Sequence, residues 1–484
     1  MNTQHEERDT VPKQLPMCID LDGTLVRTDT LVETFIMALK EFTTILRLPL
    51  WLWQGKAVFK EKLALHTKVD FKLLPYNRTL LEYLQHQKSS GRYLVLATAA
   101  NWKIAQEVNR HLNLFDEIIA SDSSRNLRGP QKAKALVDRF GDRGFCYIGN
   151  DRHDLAVWQC ASSGSLVNVS DRVAKKAANL TEIENRFTER AGRGIPLLKL
   201  IRPLQWSKNL LVFVPIITSG AIYDSHAILR AFLMFIAFCC IASATYIIND
   251  LYDLDADRQH PDKRRRPLAS GDLSPSVALA ILPVLILAGV SFARLVPTTS
   301  TFLLLVSYAL LSTAYSIKLK QFPLVDVFTL AALYTIRVFA GGEATGYHVS
   351  FWLLAFSGFI FLALAIVKRT SELDGLAKRG KQNAARRGYT TADLRVLSVF
   401  GVSSSFISSL VVALYINDRT AKESYAHPQM LWFMVPLILL WQCRLWLSTS
   451  RGYMTDDPIV YAAKDWVSWF IVFMSGIFLL AARM

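Results

Sequence analysis

From about Leu210 onward, apolar runs of roughly 17 to 25 residues recur, the length a helix needs to cross the hydrocarbon of a bilayer. Such runs confine this part of the chain to a bundle of helices, because lipid offers no partner for an open backbone N–H or C=O. Nine spans are expected, near 209–222, 228–249, 276–295, 299–317, 324–342, 350–368, 395–416, 430–448 and 466–482, the first of them short. Their loops alternate in charge. Lys263 to Arg266, Lys318 and Lys320, then Lys368, Arg369, Lys378, Arg379, Lys381, Arg386 and Arg387, then Arg451 and Lys464 fall on one side, which is therefore expected to be cytoplasmic.

The first 190 residues are of another kind, charged and mixed, and 484 residues exceed one ordinary domain. The expected organisation is a head over 1–190, a linker and interfacial helix over 191–208, and a membrane body over 209–484. The polar start MNTQHEERDT has no signal-peptide core, so the head is expected in the cytoplasm, with the body in the cytoplasmic membrane. An odd number of crossings then leaves the C-terminus outside. The net charge of +15 suits an anionic partner, phosphates or anionic lipid headgroups, and no nucleic-acid module is apparent. Cysteines 18, 146, 160, 239, 240 and 443 have neither metal nor disulfide spacing, and His66, His86, His111 and His153 read as surface residues. A homo-oligomer is compatible with all of this.

One stretch, NDLYDLDADRQHPDKRRRP from Asn249 to Pro267, follows directly on an apolar run. On a helix Asp250, Asp253 and Asp257 share a face, with Asn249 one turn below Asp253 and Asp255 turned away. Like charges on one stripe call for a hard cation, Mg2+ with a diphosphate completing its shell. Lys263, Arg264, Arg265 and Arg266 follow at once. Metal-binding acids followed by cations are what departure of a diphosphate requires.

In the head, the strand PMCID runs into Asp20-Leu21-Asp22-Gly23-Thr24. Two aspartates two apart at a strand's carboxyl end place one to attack phosphorus and the other to act as acid and base. This stretch resembles the first motif of the haloacid dehalogenase superfamily of phosphatases, and the other motifs follow in order. YLVLATAA supplies Thr98, a hydroxyl for a phosphoryl oxygen; GPQKAKAL supplies Lys132; FCYIGNDRHD supplies Asp151 and Asp154 as metal carboxylates, Mg2+ being the expected ion. One departure stands out: Asn150 occupies the position after glycine where the family usually has an acid. The resemblance implies a three-layer α/β (Rossmannoid) domain with a helical cap over about 28–85. ILRLPLWLWQGKAVF, with Leu48, Leu50, Trp51 and Trp53, reads first as cap core and second as a face for membrane or lipid.

Over about 170–208 the chain reads as a joint, polar and helical up to Gly192 and Gly194 and then, in LLKLIRPLQW, an interfacial helix with Trp206 at headgroup depth. RPLQWSKNLLVFVP then resembles the opening of the polyprenyl-phosphate phosphoribosyltransferase branch of the UbiA-type superfamily, with Lys208 and Asn209 at the start of the first span. YSIKLKQFPLVDVFTLAALYTIRVFAGG extends the resemblance: Tyr315, Lys318, Lys320 and a single Asp326 stand where the common prenyltransferases carry a second pair of magnesium-binding aspartates. Arg337, costly within an apolar helix, is expected to face the interior and meet a phosphate or Asp326. IVKRTSEL adds Lys368, Arg369 and Glu372, whereas Asp456, Asp457 and Asp465 of the last loop rank lower, as solvated partners of Lys464.

Together these imply Mg2+ and phosphoribosyl diphosphate on Asn249, Asp250, Asp253 and Asp257. Lys208, Asn209, Lys263, Arg264, Arg266, Tyr315, Lys318, Lys320, Asp326, Arg337, Lys368 and Arg369 are the expected substrate-binding residues, and a polyprenyl phosphate is the acceptor. The head would then remove the 5-phosphate of the product. One alternative moves a prenyl group from a prenyl diphosphate to an aromatic or haem-like acceptor; another makes the chain a membrane scaffold or transporter with a degenerate head.

Overall fold

The computed structural model describes residues 14–67, 69–122, 125–188, 194–380, 382, 387–454 and 457–484. Gly192, Lys381, Arg386 and Asp456, named above, lie outside the described residues. Two compact units emerge, Met1–Ile201 with Asp250–Ile281, and Arg202–Asn249 with Leu282–Met484. The stretch with the acidic stripe therefore groups with the head, which a division by composition does not anticipate.

The first unit is built on six parallel strands, β1 (Met17–Ile19), β2 (Leu94–Asn101), β3 (Glu117–Ser121), β4 (Cys146–Gly149), β5 (Ser163–Val167) and β6 (Glu182–Phe187). Their order is β3-β2-β1-β4-β5-β6. Alternation sorts the side chains of the central strands. Met17, Ile19, Leu94 and Leu96 pack with Leu80, Leu84, Ile104 and Val108 on one face, while Cys18, Val95 and Ala97 pack with Leu136, Val157 and Trp158 on the other. Both faces of the sheet are thus covered by helices, a Rossmann-like three-layer arrangement. The strand order reverses between β1 and β4, so the crevice where such sheets hold ligands opens at their carboxyl ends. These are the ends that carry Asp20 and Asn150.

Two expectations for the head change. TEIENRF, read above as part of a helical joint, forms edge strand β6, alternately exposed and half-buried; its charges masked the period-2 signal. Leu80 and Leu84 of helix Arg78–Ser89 join the sheet core, so the helical insert consists of Thr30–Ala38, Phe42–Trp53 and Lys56–His66. Leu48 and Trp51 pack in the insert with Ala38 and Leu63, whereas Leu50 and Trp53 are exposed.

Eight helices among the described residues are long and apolar enough to cross a membrane, from Ser225–Tyr252 to Trp466–Arg483. The expected ninth, at 209–222, is instead a 3-10 turn, Pro203–Phe213, followed by the short helix Val214–Ser219. Pro203 and Pro215 at the starts of the two pieces account for the break. Trp206 Nε1 donates to Ser243 Oγ at 3.0 Å, on the spanning helix Ser225–Tyr252.

Candidate active sites

In the head, β1 delivers Asp20 into the crevice, and Gly23 turns the chain with φ +76°; a Cβ there would lie 2.1 Å from the Asn150 amide nitrogen. Glycine is needed at that contact. Lys132, on the first turn of Pro130–Phe140, donates to Asp20 Oδ1 at 2.6 Å and to Tyr147 Oη at 2.9 Å. Asp22 Oδ1 accepts from the backbone N–H of Thr30 at 2.8 Å, at the amino end of Thr30–Ala38. Burial pushes both carboxyls up, Asp20 to about 6 against the pull of Lys132, and Asp22 to about 7 with Asp29 adding repulsion. The cavity in front of them has a volume of about 440 Å³ and is lined also by Thr28, Thr30, Lys60, Asn101, Arg128 and His153.

Asp151 and Asp154 of the last motif line the same cavity as Asp20 and Asp22. Asp154 Oδ1 accepts from Tyr147 Oη at 2.7 Å, and its Oδ2 from the N–H groups of Asn150 and Asp151, both at 3.0 Å. It fixes the loop and the tyrosine that touches Lys132. The side chain of Asp151 is half exposed and accepts from Arg152 N. Among the described residues no three His, Cys, Asp or Glu side chains gather to hold a metal. Two buried, oxygen-only carboxylates of raised pKa beside the Asn150 amide nevertheless have the hard-donor chemistry Mg2+ selects. Thr98 is fully buried and accepts from Ala100 N at 2.9 Å, and it does not line the cavity. Thr28 and Thr30 do, and among the described residues their buried hydroxyls have no hydrogen-bond partner. No motif pointed to these two threonines, or to Tyr147.

In the stripe, the helix Ser225–Tyr252 ends before Asp253, which starts Leu254–Gln259. The stripe therefore lies on two helices, not one. Asp250 and Asp257 still converge: Arg266 Nη1 lies 3.0 Å from Asp250 Oδ1 and 2.5 Å from Asp257 Oδ2. Burial raises the Asp257 carboxyl, with Arg266 opposing. A guanidinium shared by two carboxylates marks a point where both accept one cation, and their oxygen donors suit Mg2+. Asp255 turns away as expected, to Lys40 at 3.2 Å. Lys263 and Arg264 are exposed.

Within the second unit, Lys320 donates to Asn249 Oδ1 at 3.2 Å. Arg337 does not meet Asp326. Its Nε donates to Asn209 Oδ1 at 2.8 Å, its Nη2 to Tyr308 Oη at 2.8 Å and its Nη1 to the Leu333 carbonyl. The guanidinium, on a residue only 6% exposed, thus has neutral partners and lies over the rings of Tyr308 and Tyr334. Lys208 faces the same Tyr334 ring and bonds Asp457 at 2.7 Å, with Lys368 on that carboxylate at 3.1 Å. Burial opposes its charge, yet Lys368 and Lys208 hold the Asp457 carboxyl well below its usual range. Asp457, ranked low from sequence, is a hub of the site.

Asp326 and Arg369 form a separate, fully buried pair at 2.6 Å, with Tyr389 Oη on Asp326 at 2.6 Å and Arg387 at 3.6 Å. Arg369 also bonds Glu372. Both Asp326 oxygens are engaged, by Tyr389 and by Arg369, which leaves that carboxylate little capacity for a second metal. Lys318 is exposed against the Phe322 ring, Tyr315 is half-buried, and Asp465 caps Trp466–Arg483.

A Rossmann-like head and a bundle of apolar spans containing buried cations define an integral membrane protein with two polar centres. The model of the UbiA prenyltransferase family matches residues 212–457, just over half of the 484, and the chain belongs to that family. The uncharacterized protein y4nM of Sinorhizobium fredii is 35% identical over 96% of this chain and 90% of its own length, a match that runs through head and body alike. The nodulation protein NoeC of Azorhizobium caulinodans is 34% identical over 54% of this chain and 85% of that protein. A decaprenyl-phosphate phosphoribosyltransferase of Mycobacterium tuberculosis is 34% identical over 50% of this chain and 78% of that protein.

Proposed function

We propose that this UbiA-family transferase moves a 5-phosphoribosyl group from phosphoribosyl diphosphate to a polyprenyl phosphate. The observation that carries the reading is Arg337, a buried cation with neutral partners beside Lys208 and Lys368, which suits a substrate with more phosphate than a prenyl diphosphate has. The relative from Mycobacterium tuberculosis, by its name, supports the same transferred group and a polyprenyl phosphate as acceptor. The prenyl-transfer alternative needs a second pair of free acids, and Asp326 is committed to Arg369 and Tyr389.

The acceptor phosphate is anionic near neutral pH and needs no protein base. Its oxygen forms a bond to the anomeric carbon while the bond from that carbon to the diphosphate breaks, and the diphosphate leaves with the electron pair. Asn249, Asp250, Asp253 and Asp257 would hold Mg2+, which when bound neutralises leaving-group charge. Arg266, Lys263, Arg264 and Lys320 bind phosphate oxygens, and Arg337 with Lys208 and Lys368 orients the 5-phosphate.

In the head, Asp20 attacks the 5-phosphorus of the lipid product while Asp22 gives a proton to the departing ribose oxygen; Asp22 then activates water against the aspartyl phosphate. Lys132 keeps Asp20 aimed. Asp20, Asp22 and Asn150 would hold the ion that neutralises the phosphate. The head is proposed to lie in the cytoplasm and the body in the cytoplasmic membrane. Incubation with each donor tests the choice: incorporation of label from phosphoribosyl diphosphate into polyprenyl phosphate supports it, and prenylation of an aromatic acid instead defeats it.

A further inference from the structure

The insert helix Phe42–Trp53 is inverted relative to an ordinary cap helix. Among its described side chains Thr44, Leu48 and Trp51 are buried, while Leu46, Leu50 and Trp53 stand at i, i+4 and i+7 and are 67%, 52% and 87% exposed. Ile45 and Leu52 widen this stripe, and among the described residues none covers it. A contiguous exposed apolar face on a soluble domain marks an interaction surface.

What covers it is indicated by where the helix is anchored. Lys40, two residues before the helix, bonds Asp255 at 3.2 Å and lies over the ring of Tyr252. Tyr252 is the last residue of the spanning helix Ser225–Tyr252. One helical turn further, Glu33 grips Arg258 through both oxygens, at 2.6 and 3.2 Å. Arg27 adds an ion pair to Asp272, three residues before the spanning helix Pro275–Arg294. The insert is thus clamped to a loop whose two ends both enter a bilayer. The helix Gly194–Ile201 of the same unit likewise exposes Ile195 and Leu198. Apolar residues with tryptophan at the helix end are what the headgroup and acyl boundary accepts.

We propose that the stripe Leu46, Leu50, Trp53 is a bilayer-docking surface that seats the head on the lipid headgroups. Docked there, the head's pocket receives phosphates carried by membrane lipids in preference to soluble ones.

Single cysteines at 46, 50 and 53, and at Glu107, whose side chain is 42% exposed on the head helix Trp102–Leu112, as a water reference, test this in the full chain. Cys160, Cys240 and Cys443 are replaced by serine first, the other native cysteines being buried. Each site carries a spin label, and the protein is reconstituted in phosphatidylethanolamine and phosphatidylglycerol vesicles. Labels at 46, 50 and 53 are expected to collide with oxygen more than with an aqueous nickel chelate, with the reverse at 107. Nickel access at the three sites equal to that at 107 overturns the proposal. This readout needs no enzymatic activity, so it stands or falls apart from the proposed reaction. The triple change Leu46→Ser, Leu50→Ser and Trp53→Ser is expected to slow phosphate release from a vesicle-bound lipid phosphate about tenfold relative to p-nitrophenyl phosphate. Equal effects on both substrates would also count against docking.

Discussion

Replacing Glu33 with alanine strands a buried guanidinium. Glu33 is 1% exposed and holds Arg258 by two charge-assisted bonds of 2.6 and 3.2 Å, and Arg258 follows directly on Asp257 of the acidic stripe. Removing one partner of a buried pair costs about 3 to 5 kcal/mol, because the remaining charge loses its compensation without regaining water. At about 1.4 kcal/mol per decade, the population of locally opened loop rises on the order of a hundred- to a thousandfold. The amides of Asp257 and His260, bonded to the Asp253 and Ala256 carbonyls, report that opening. Hydrogen exchange in detergent is expected to accelerate at these two amides and to stay unchanged in β2. The pair Glu33→Leu with Arg258→Met removes both charges and keeps apolar volume, so most of the protection should return. Exchange at Asp257 and His260 within about threefold of the parent in Glu33→Ala, or no recovery in the pair, would refute the reasoning.

Asp257→Asn, which takes a charge from the pair on Arg266, is expected to lower transfer by at least about a hundredfold, whereas Asp255→Asn, which breaks a partly exposed pair, changes it less than about threefold; label incorporation into lipid measures both. Arg337→Gln should raise the KM for phosphoribosyl diphosphate at least about tenfold while leaving that for polyprenyl phosphate nearly unchanged, as initial rates at varied donor and acceptor would show. The Asp22 carboxyl is raised to about 7 by burial and by Asp29, so protonation is favoured below that value and lost above it. Head stability with chelator present is therefore greatest at low pH in this contribution and falls as pH rises through about 7. Asp22→Asn should reduce that fall, leaving the part due to Asp20, whose carboxyl is raised to about 6, and melting curves at pH 5 and pH 8 would reveal the difference.

The spans were legible because length and hydropathy alone decide them, and the one that differed, 209–222, contains Pro215 at the start of its short helix. The head's motifs were legible because Asp20, Asp22 and Lys132 lie at strand and helix ends, where spacing carries chemistry. What escaped was tertiary. Asp457 meets Lys208 across 249 residues of sequence, and Arg337 meets Asn209 across 128. No local pattern distinguishes such a hub from a solvated loop acid. The Asp326 to Arg369 pair shows the converse, since both residues match family motifs yet satisfy each other. The helix break at Asp253 was also hidden, because the carboxylates return to one cation despite it. The cap helix carried both of its readings at once: Leu48 and Trp51 pack inward while Leu50 and Trp53 do not.

The central claim is that one chain makes a lipid-linked phosphoribose and then dephosphorylates it. Purified protein is incubated with Mg2+, phosphoribosyl diphosphate labelled in both ribose and 5-phosphate, and a polyprenyl phosphate, and both labels are followed into the organic phase. Both labels are expected to enter together and the phosphate label then to leave, with its loss abolished in Asp20→Asn and entry of both labels preserved. Absence of ribose label from the lipid, or loss of the phosphate label at the same rate in Asp20→Asn, would contradict the claim.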